Sequence, residues 1–318
     1  MAMETFGRAL LVAAGFCFLA APAWGGLAIV GNENGGSLSL IDTDKDEVIG
    51  EIKTGGKPRG TAIHTGRKLA YVSDQPNNGL LVIDLANRRL AKRIDLGESP
   101  EGVYISPDGK LVAAAVELTN SVAFVDTATD SVLFRVKIKG ENPEHAVFSP
   151  DGRFVYVGAE EDDKLEVIDV ASRALVVQLK VGARPRGIAF TPDGAKAYVA
   201  CERADTVYVL DARAHKILRT IKAGLRSNGL AMHPDGTRLY LSNGGAASVM
   251  VIDTASDTVT ATIAVGQRPW NMALTRDGAK LYVANGRSDS VSVIDTAKNA
   301  RVKDIAVGKT PWGVQVLD

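Results

Sequence analysis

The 318-residue chain is predicted to be an all-β, seven-bladed propeller with four antiparallel strands per blade, and three periodic signals carry that prediction. The first is an Asp that closes a short apolar run of the "VID" kind, at Asp42, Asp84, Asp126, Asp169, Asp211, Asp253 and Asp295, in steps of 42 residues with a single step of 43. The second is Gly-x-x-Pro-x-Gly or a close variant, beginning at Gly55, Gly97, Gly140, Gly182, Gly224, Gly266 and Gly308. The third is "SPDG" or a relative of it, at 106–109, 149–152, 191–194, 233–236 and 275–278. A four-stranded repeat of about 40 to 45 residues is the period of a propeller blade.

Each unit resolves into the same four strands. Around residue 200 they read "RGIAF", a Pro-Asp-Gly turn, "KAYVA", a polar turn, "TVYVL", an Asp turn and "KILRTIKAG". The inner strands are apolar or small on both faces, as a sheet must be when it is sandwiched between two others. Near the C-terminus "WGVQVL" supplies one first strand, while residues 27–53 supply only a second, third and fourth. The two ends are therefore expected to share a blade and close the ring.

Residues 1–23 read as a secretory signal: Arg8, the apolar run "ALLVAAGFCFLA", then the small residues Ala21-Pro22-Ala23. The propeller is expected over 24–318, periplasmic or secreted, without a membrane span, because the apolar run is too short to cross a bilayer comfortably. Cys17 lies in the leader, which leaves Cys201 alone, so no internal disulfide, paired metal ligands or haem attachment motif is expected. Lys plus Arg equals Asp plus Glu at 37 each, and whole-molecule charge gives no reason to expect a nucleic acid or an anionic membrane as partner. A monomer is expected.

The runs "AYVSD", "AYVAC", "LYLSN" and "LYVAN", each followed by a "VxVID"-like run, resemble the YVTN-type β-propeller repeat of secreted bacterial and archaeal proteins. With the leader and the terminal "VGKTPWGV" at 307–314, the chain is most similar to the periplasmic propellers associated with PQQ-dependent alcohol catabolism. That resemblance implies an accessory, non-enzymatic role and carries over no catalytic residues. It implies no bound cofactor either, since the tryptophan-docking repeats of quinoprotein dehydrogenases are missing.

Repetition inside the chain separates scaffold from site. A residue type found in nearly every blade serves the blade, so the seven Asp residues read as turn acceptors; no D-x-D-x-D-G loop surrounds them to make a calcium site. Variation concentrates in the loop leading into the first strand, which shares one end of the ring, called the top here, with the turn between the second and third strands. Between Pro and Gly in that loop stand Arg59, Glu101, Glu144, Arg186, Asn228, Trp270 and Trp312. Acidic residues (Glu98, Glu101, Glu117, Glu141, Glu144, Glu160, Glu161, Asp162, Asp163) precede basic ones (Arg184, Arg186, Arg203, Arg226, Arg268, Arg287), so an acidic and a basic sector are expected. His145 replaces a repeat glycine in the acidic stretch.

Three readings of this end follow. The first is a surface that binds a protein partner or a small anionic ligand through Arg59, Glu101, Glu144, His145, Arg184, Arg186, Arg226, Asn228, Arg268, Trp270 and Trp312, because Trp and Arg are effective anchors. The second is a lyase or lactonase site at the top of the channel, with His145, Glu144 and Glu101 as acid–base groups. The third, stacking of single-stranded nucleic acid on Trp and Arg, fits poorly with export. The remaining histidines, His64, His215 and His233, fall in or near bottom turns and make no metal pair.

Overall fold

The computed structural model describes Met1 and residues 26–317; the leader expected over 1–23 otherwise lies outside the described residues. Seven four-stranded antiparallel sheets form the ring. Six are built from consecutive strands, such as Pro185–Phe190, Lys196–Cys201, Thr206–Asp211 and Lys216–Lys222 of blade five. The seventh, blade one, joins the C-terminal strand Pro311–Leu317 to Leu27–Asn32, Ser37–Asp42 and Glu47–Lys53, in that order from the axis outward. Leu27 pairs with Leu317 and Gly31 with Gly313, so the ring closes as the sequence predicts.

Packing explains the composition of each strand. The second and third strands are buried almost throughout, as in Leu27–Asn32 and Ser37–Asp42, whereas fourth strands such as Glu47–Lys53 expose most positions. There is no central core. Seven apolar clusters each lie between two neighbouring blades; one joins Leu38 and Leu40 of blade one to Val72 and Leu81 of blade two, another joins Val30 and Val314 to Tyr282 and Val291 of blade seven. Every blade thus completes its neighbour's core, which is why an incomplete ring cannot bury its end faces.

The seven repeat Asp residues act as the sequence predicts. Asp126 Oδ1 accepts from the amides of Ala128 and Thr129, both at 2.8 Å, and Asp211 Oδ1 from those of Arg213 and Ala214, both at 2.9 Å. Each ties the turn between third and fourth strands. The same turns receive a buried tyrosine from the preceding blade. Tyr71 donates to Asp130 at 2.6 Å and Tyr198 to Asp257 at 2.8 Å, while Tyr282 reaches Asp46 across the seam between blades seven and one. A hydrogen bond to a charged acceptor contributes about 1.5 to 3 kcal/mol. Tyr282→Phe is expected to lower stability to urea by that amount while leaving the fold unchanged by circular dichroism; a change below about 0.5 kcal/mol would exclude a bracing role for this bond at the seam.

Candidate functional site at the channel mouth

Backbone bonding places the two top loops of a blade against each other. The amide of the residue that follows the second strand donates to a carbonyl of the leading loop: Glu117 to Ser99 at 2.9 Å, Glu160 to Asn142 at 3.0 Å, Glu202 to Arg184 at 2.9 Å and Gly286 to Arg268 at 2.9 Å. The accepting residues Ser99, Asn142, Arg184, Arg226, Arg268 and Thr310 all have φ between 55° and 61°. A left-handed φ is costly for a non-glycine residue. Because it recurs in blade after blade, it belongs to the turn and not to any one site.

Two rings of side chains result. One is the Pro-x-Gly ring already identified; the other begins each turn between second and third strands and reads Glu33, Gln75, Glu117, Glu160, Glu202, Gly244 and Gly286. The rings interlock through ion pairs. Arg59 binds Glu101 and, at 3.0 Å, Glu33; Gln75 donates to Glu101 at 2.8 Å. Arg186 binds Glu144, Glu160 at 2.8 Å and Glu202 at 3.2 Å. Arg184 meets Glu160 at 2.9 Å, and Arg268 meets Glu202 at 2.7 Å.

The expected acidic and basic sectors are therefore not separate. Blade five supplies Arg184, Arg186 and Glu202 together, and its arginines reach back to Glu144 and Glu160 of blade four. Sequence separation misled because Glu202 stands among the arginines and was not recognised; the 42-residue spacing of the second ring was the signal that could have found it.

These carboxylates share few protons. Burial, the largest influence on Glu144, would raise it, but the Arg186 guanidinium, the Glu160 hydrogen bond and the Arg59 charge together outweigh it, and the carboxyl is held well below the usual range. Glu160 is pushed up by burial and by the charge of Glu144. Burial, reinforced by the charge of Glu144 and opposed by Arg59, pushes Glu101 up to about 8. Near neutral pH the network thus keeps protons on some of its own acids.

His145 closes the channel. Its ring is stacked on Trp312 from blade one, three blades away, with centroids 5.9 Å apart and planes 17° apart. Burial pushes the imidazole down to about 4 and raises the Tyr104 phenol, so His145 is neutral; its Nδ1 shares a hydrogen bond with the Tyr104 hydroxyl, and its Nε2 has no partner in the protein. Glu101, Glu144 and His145 do lie at the same end of the channel, yet Arg186 holds Glu144 and Tyr104 occupies Nδ1. Trp312, expected as an apolar contact for a partner or ligand, is 8 % exposed and lines the inside of the channel. Asn228 is buried in the same ring.

Trp270 is treated differently. A Cβ on Gly286 would lie 2.3 Å from its ring, and a Cβ on Gly245 would lie 2.7 Å from Leu225 Cγ. Glycine in these two turns lets Trp270 and Leu225 lie flat over blades seven and six. Leu225 is 56 % exposed, and Arg226 lies exposed beside it with Glu202 3.7 Å away. Arg268 stands 5.7 Å from the Trp270 ring centre.

Residues 103–318 match the family model described as YNCE-like beta-propeller. The chain belongs to the YNCE-like β-propeller family. No curated protein sequence matches this YNCE-like propeller. Among solved structures it is similar to Kuenenia stuttgartiensis hydrazine synthase, with a TM-score of 0.78 and 23 % identity over 85 % of this chain and 92 % of that one. It is equally similar to a functionally unknown protein from Desulfotomaculum acetoxidans, with a TM-score of 0.78 and 18 % identity over 91 % of this chain and 98 % of that one. At these identities the likeness is one of fold. No helix among the described residues of the YNCE-like propeller is long and apolar enough to cross a membrane.

Proposed function

We propose that this propeller is a non-enzymatic docking protein of the periplasm, accessory to a PQQ-dependent alcohol oxidation system, and that it holds a protein partner on the top of blades six and seven. The observation that carries this reading is the pair of glycine turns that leave Leu225 exposed and Trp270 half-buried beside Arg226 and Arg268. Leu118, in a top turn of blade three, is also exposed, but only Leu225 has an arginine beside it and a tryptophan on the next blade, and an apolar platform rimmed by arginine is the composition of a partner-binding centre. The leader and "VGKTPWGV" are what point toward the periplasm and the oxidation system. A free anionic ligand fits less well, because Arg59, Arg184, Arg186 and Arg268 already hold carboxylates. The lyase or lactonase reading loses its base, since the His145 imidazole is buried, neutral and hydrogen-bonded at Nδ1.

The test is a pull-down and titration from periplasmic extract with top and bottom variants side by side. Trp270→Ala is expected to weaken capture by about 2 kcal/mol, and raised salt to weaken what Arg226 adds. Asp193→Asn and Asp235→Asn, in bottom turns, are expected to leave capture unchanged. Equal losses from both faces, or none from Trp270→Ala, would refute the docking surface. A turnover activity abolished by His145→Ala in a folded protein would replace it with the enzymatic reading.

A further inference from the structure

Beneath the Trp312 lid the channel encloses a cavity of about 70 Å³. Its walls divide by chemistry: Arg59, Asn271 and Gln315 are polar, whereas Leu230 and Met272 are apolar. Two of its lining residues carry buried polar atoms with no protein hydrogen-bond partner, Arg59 Nε and Asn271 Nδ2, and two more such atoms belong to residues bonded to the wall, His145 Nε2 through Tyr104 and Glu101 Oε2 through Arg59. His145 and Glu101 are each 1 % exposed. Leaving a buried donor or acceptor unpaired costs about 1 to 3 kcal/mol, and four such atoms at one end of the channel is a concentration that a packed core avoids.

Internal repetition strengthens the point. The position after the Pro-x pair is glycine in five blades, at Gly60, Gly102, Gly187, Gly229 and Gly313; only His145 and Asn271 depart from it. The two departures place two of the four unpaired groups. Scaffold needs do not account for them, since five blades are built without a side chain there.

We propose that the channel cavity is a binding site for a small neutral molecule, of amide or alcohol type, that both accepts and donates hydrogen bonds, with the Trp312–His145 stack as its lid. The unpaired N–H groups of Arg59 and Asn271 call for an acceptor, and the side-chain amide of Gln315 on the same wall offers a carbonyl to a donor. Size follows from volume: a cavity of about 150 Å³ takes benzene, so this one takes roughly three or four non-hydrogen atoms. Charge selects against an anion. Arg59 is the one cation on the cavity wall among the described residues, and Glu101 and Glu33 already neutralise it. This site is independent of the docking surface on blades six and seven.

The experiment is a titration of the ¹⁵N-labelled protein with formamide and, separately, with formate, its anion of the same size, read on the Trp312 indole and the Asn271 and Gln315 side-chain amides. Formamide is expected to shift these signals saturably, with millimolar or weaker affinity, and formate to bind at least tenfold more weakly. Asn271→Gly, which installs the residue that five blades use, is expected to reduce formamide affinity at least fivefold. Leu230→Phe, which fills the cavity from its apolar wall, is expected to abolish binding whether or not the first variant folds. Absence of a saturable shift, formate binding as well as formamide, or binding unchanged in Leu230→Phe would each overturn the proposal. A crystal soaked in formamide that shows only water in the cavity would do the same.

Discussion

Deletion of residues 312–318 is expected to abolish the cooperative unfolding transition. The innermost strand of blade one, Pro311–Leu317, pairs along all six residues of Leu27–Asn32, and every residue of that second strand is buried. Without its partner, the strand would present a row of unpaired backbone groups and an apolar edge to the channel. Trp312, at 8 % exposure, and Val314, at 1 %, also leave the interface with blade seven and the lid over the channel. Fully burying one such side chain is worth about 1.5 to 3 kcal/mol, and a folded domain is stable by only about 5 to 15 kcal/mol in total. The lost strand pairing and packing together are therefore comparable to the whole stability. Calorimetry and circular dichroism melts check this. A truncated chain that melts cooperatively within a few degrees of the full-length protein would show that the ring does not depend on closure.

The second large effect is expected from Arg186→Met. Arg186 is 13 % exposed at its side chain and holds three carboxylates, Glu144, Glu160 and Glu202, whose side chains are almost wholly buried. Removing one partner of a buried charge network leaves uncompensated charge and costs about 3 to 5 kcal/mol. The pH dependence separates this cause from simple loss of packing. In the native protein the Glu144 carboxyl is depressed in the folded state, so its contribution is present above the ordinary carboxylate range and is lost as pH falls through the depressed value. In the variant the guanidinium that lowers both Glu144 and Glu160 is gone, and although Glu160 and Arg59 still favour the Glu144 carboxylate, both acids hold their protons more tightly than in the native protein. The stability of the variant relative to the native protein should then fall as pH rises from about 4 to 7. Urea unfolding at both pH values measures it. An equal loss at pH 4 and pH 7 would mean that Arg186 acts through its aliphatic stem alone.

The channel mouth shows how far residue spacing reaches. The Pro-x-Gly ring and its seven occupants were legible because each blade repeats the same loop, and the difference between blades then stands out against that background. The second ring, from Glu33 to Gly286, has the same spacing but lacks a neighbour such as the Pro that six of the seven leading loops carry, and so Glu202 was missed. Tyr104 carried no signal at all. It lies in an ordinary first strand, and its role depends on a phenol meeting an imidazole from the next blade.

Blade number, strand order, ring closure and the turn role of the seven Asp residues were determined by the sequence alone, since each follows from local periodicity that a single chain writes seven times. Only the tertiary structure decided which charges pair, which tryptophan is buried in the channel and which is half-buried at the surface, and where the cavity is. The physical reason is the ring itself. Residues on different blades meet at the axis irrespective of their separation along the chain, so Trp312 stacks on His145 and Arg268 reaches Glu202 by contacts that no spacing within one repeat encodes.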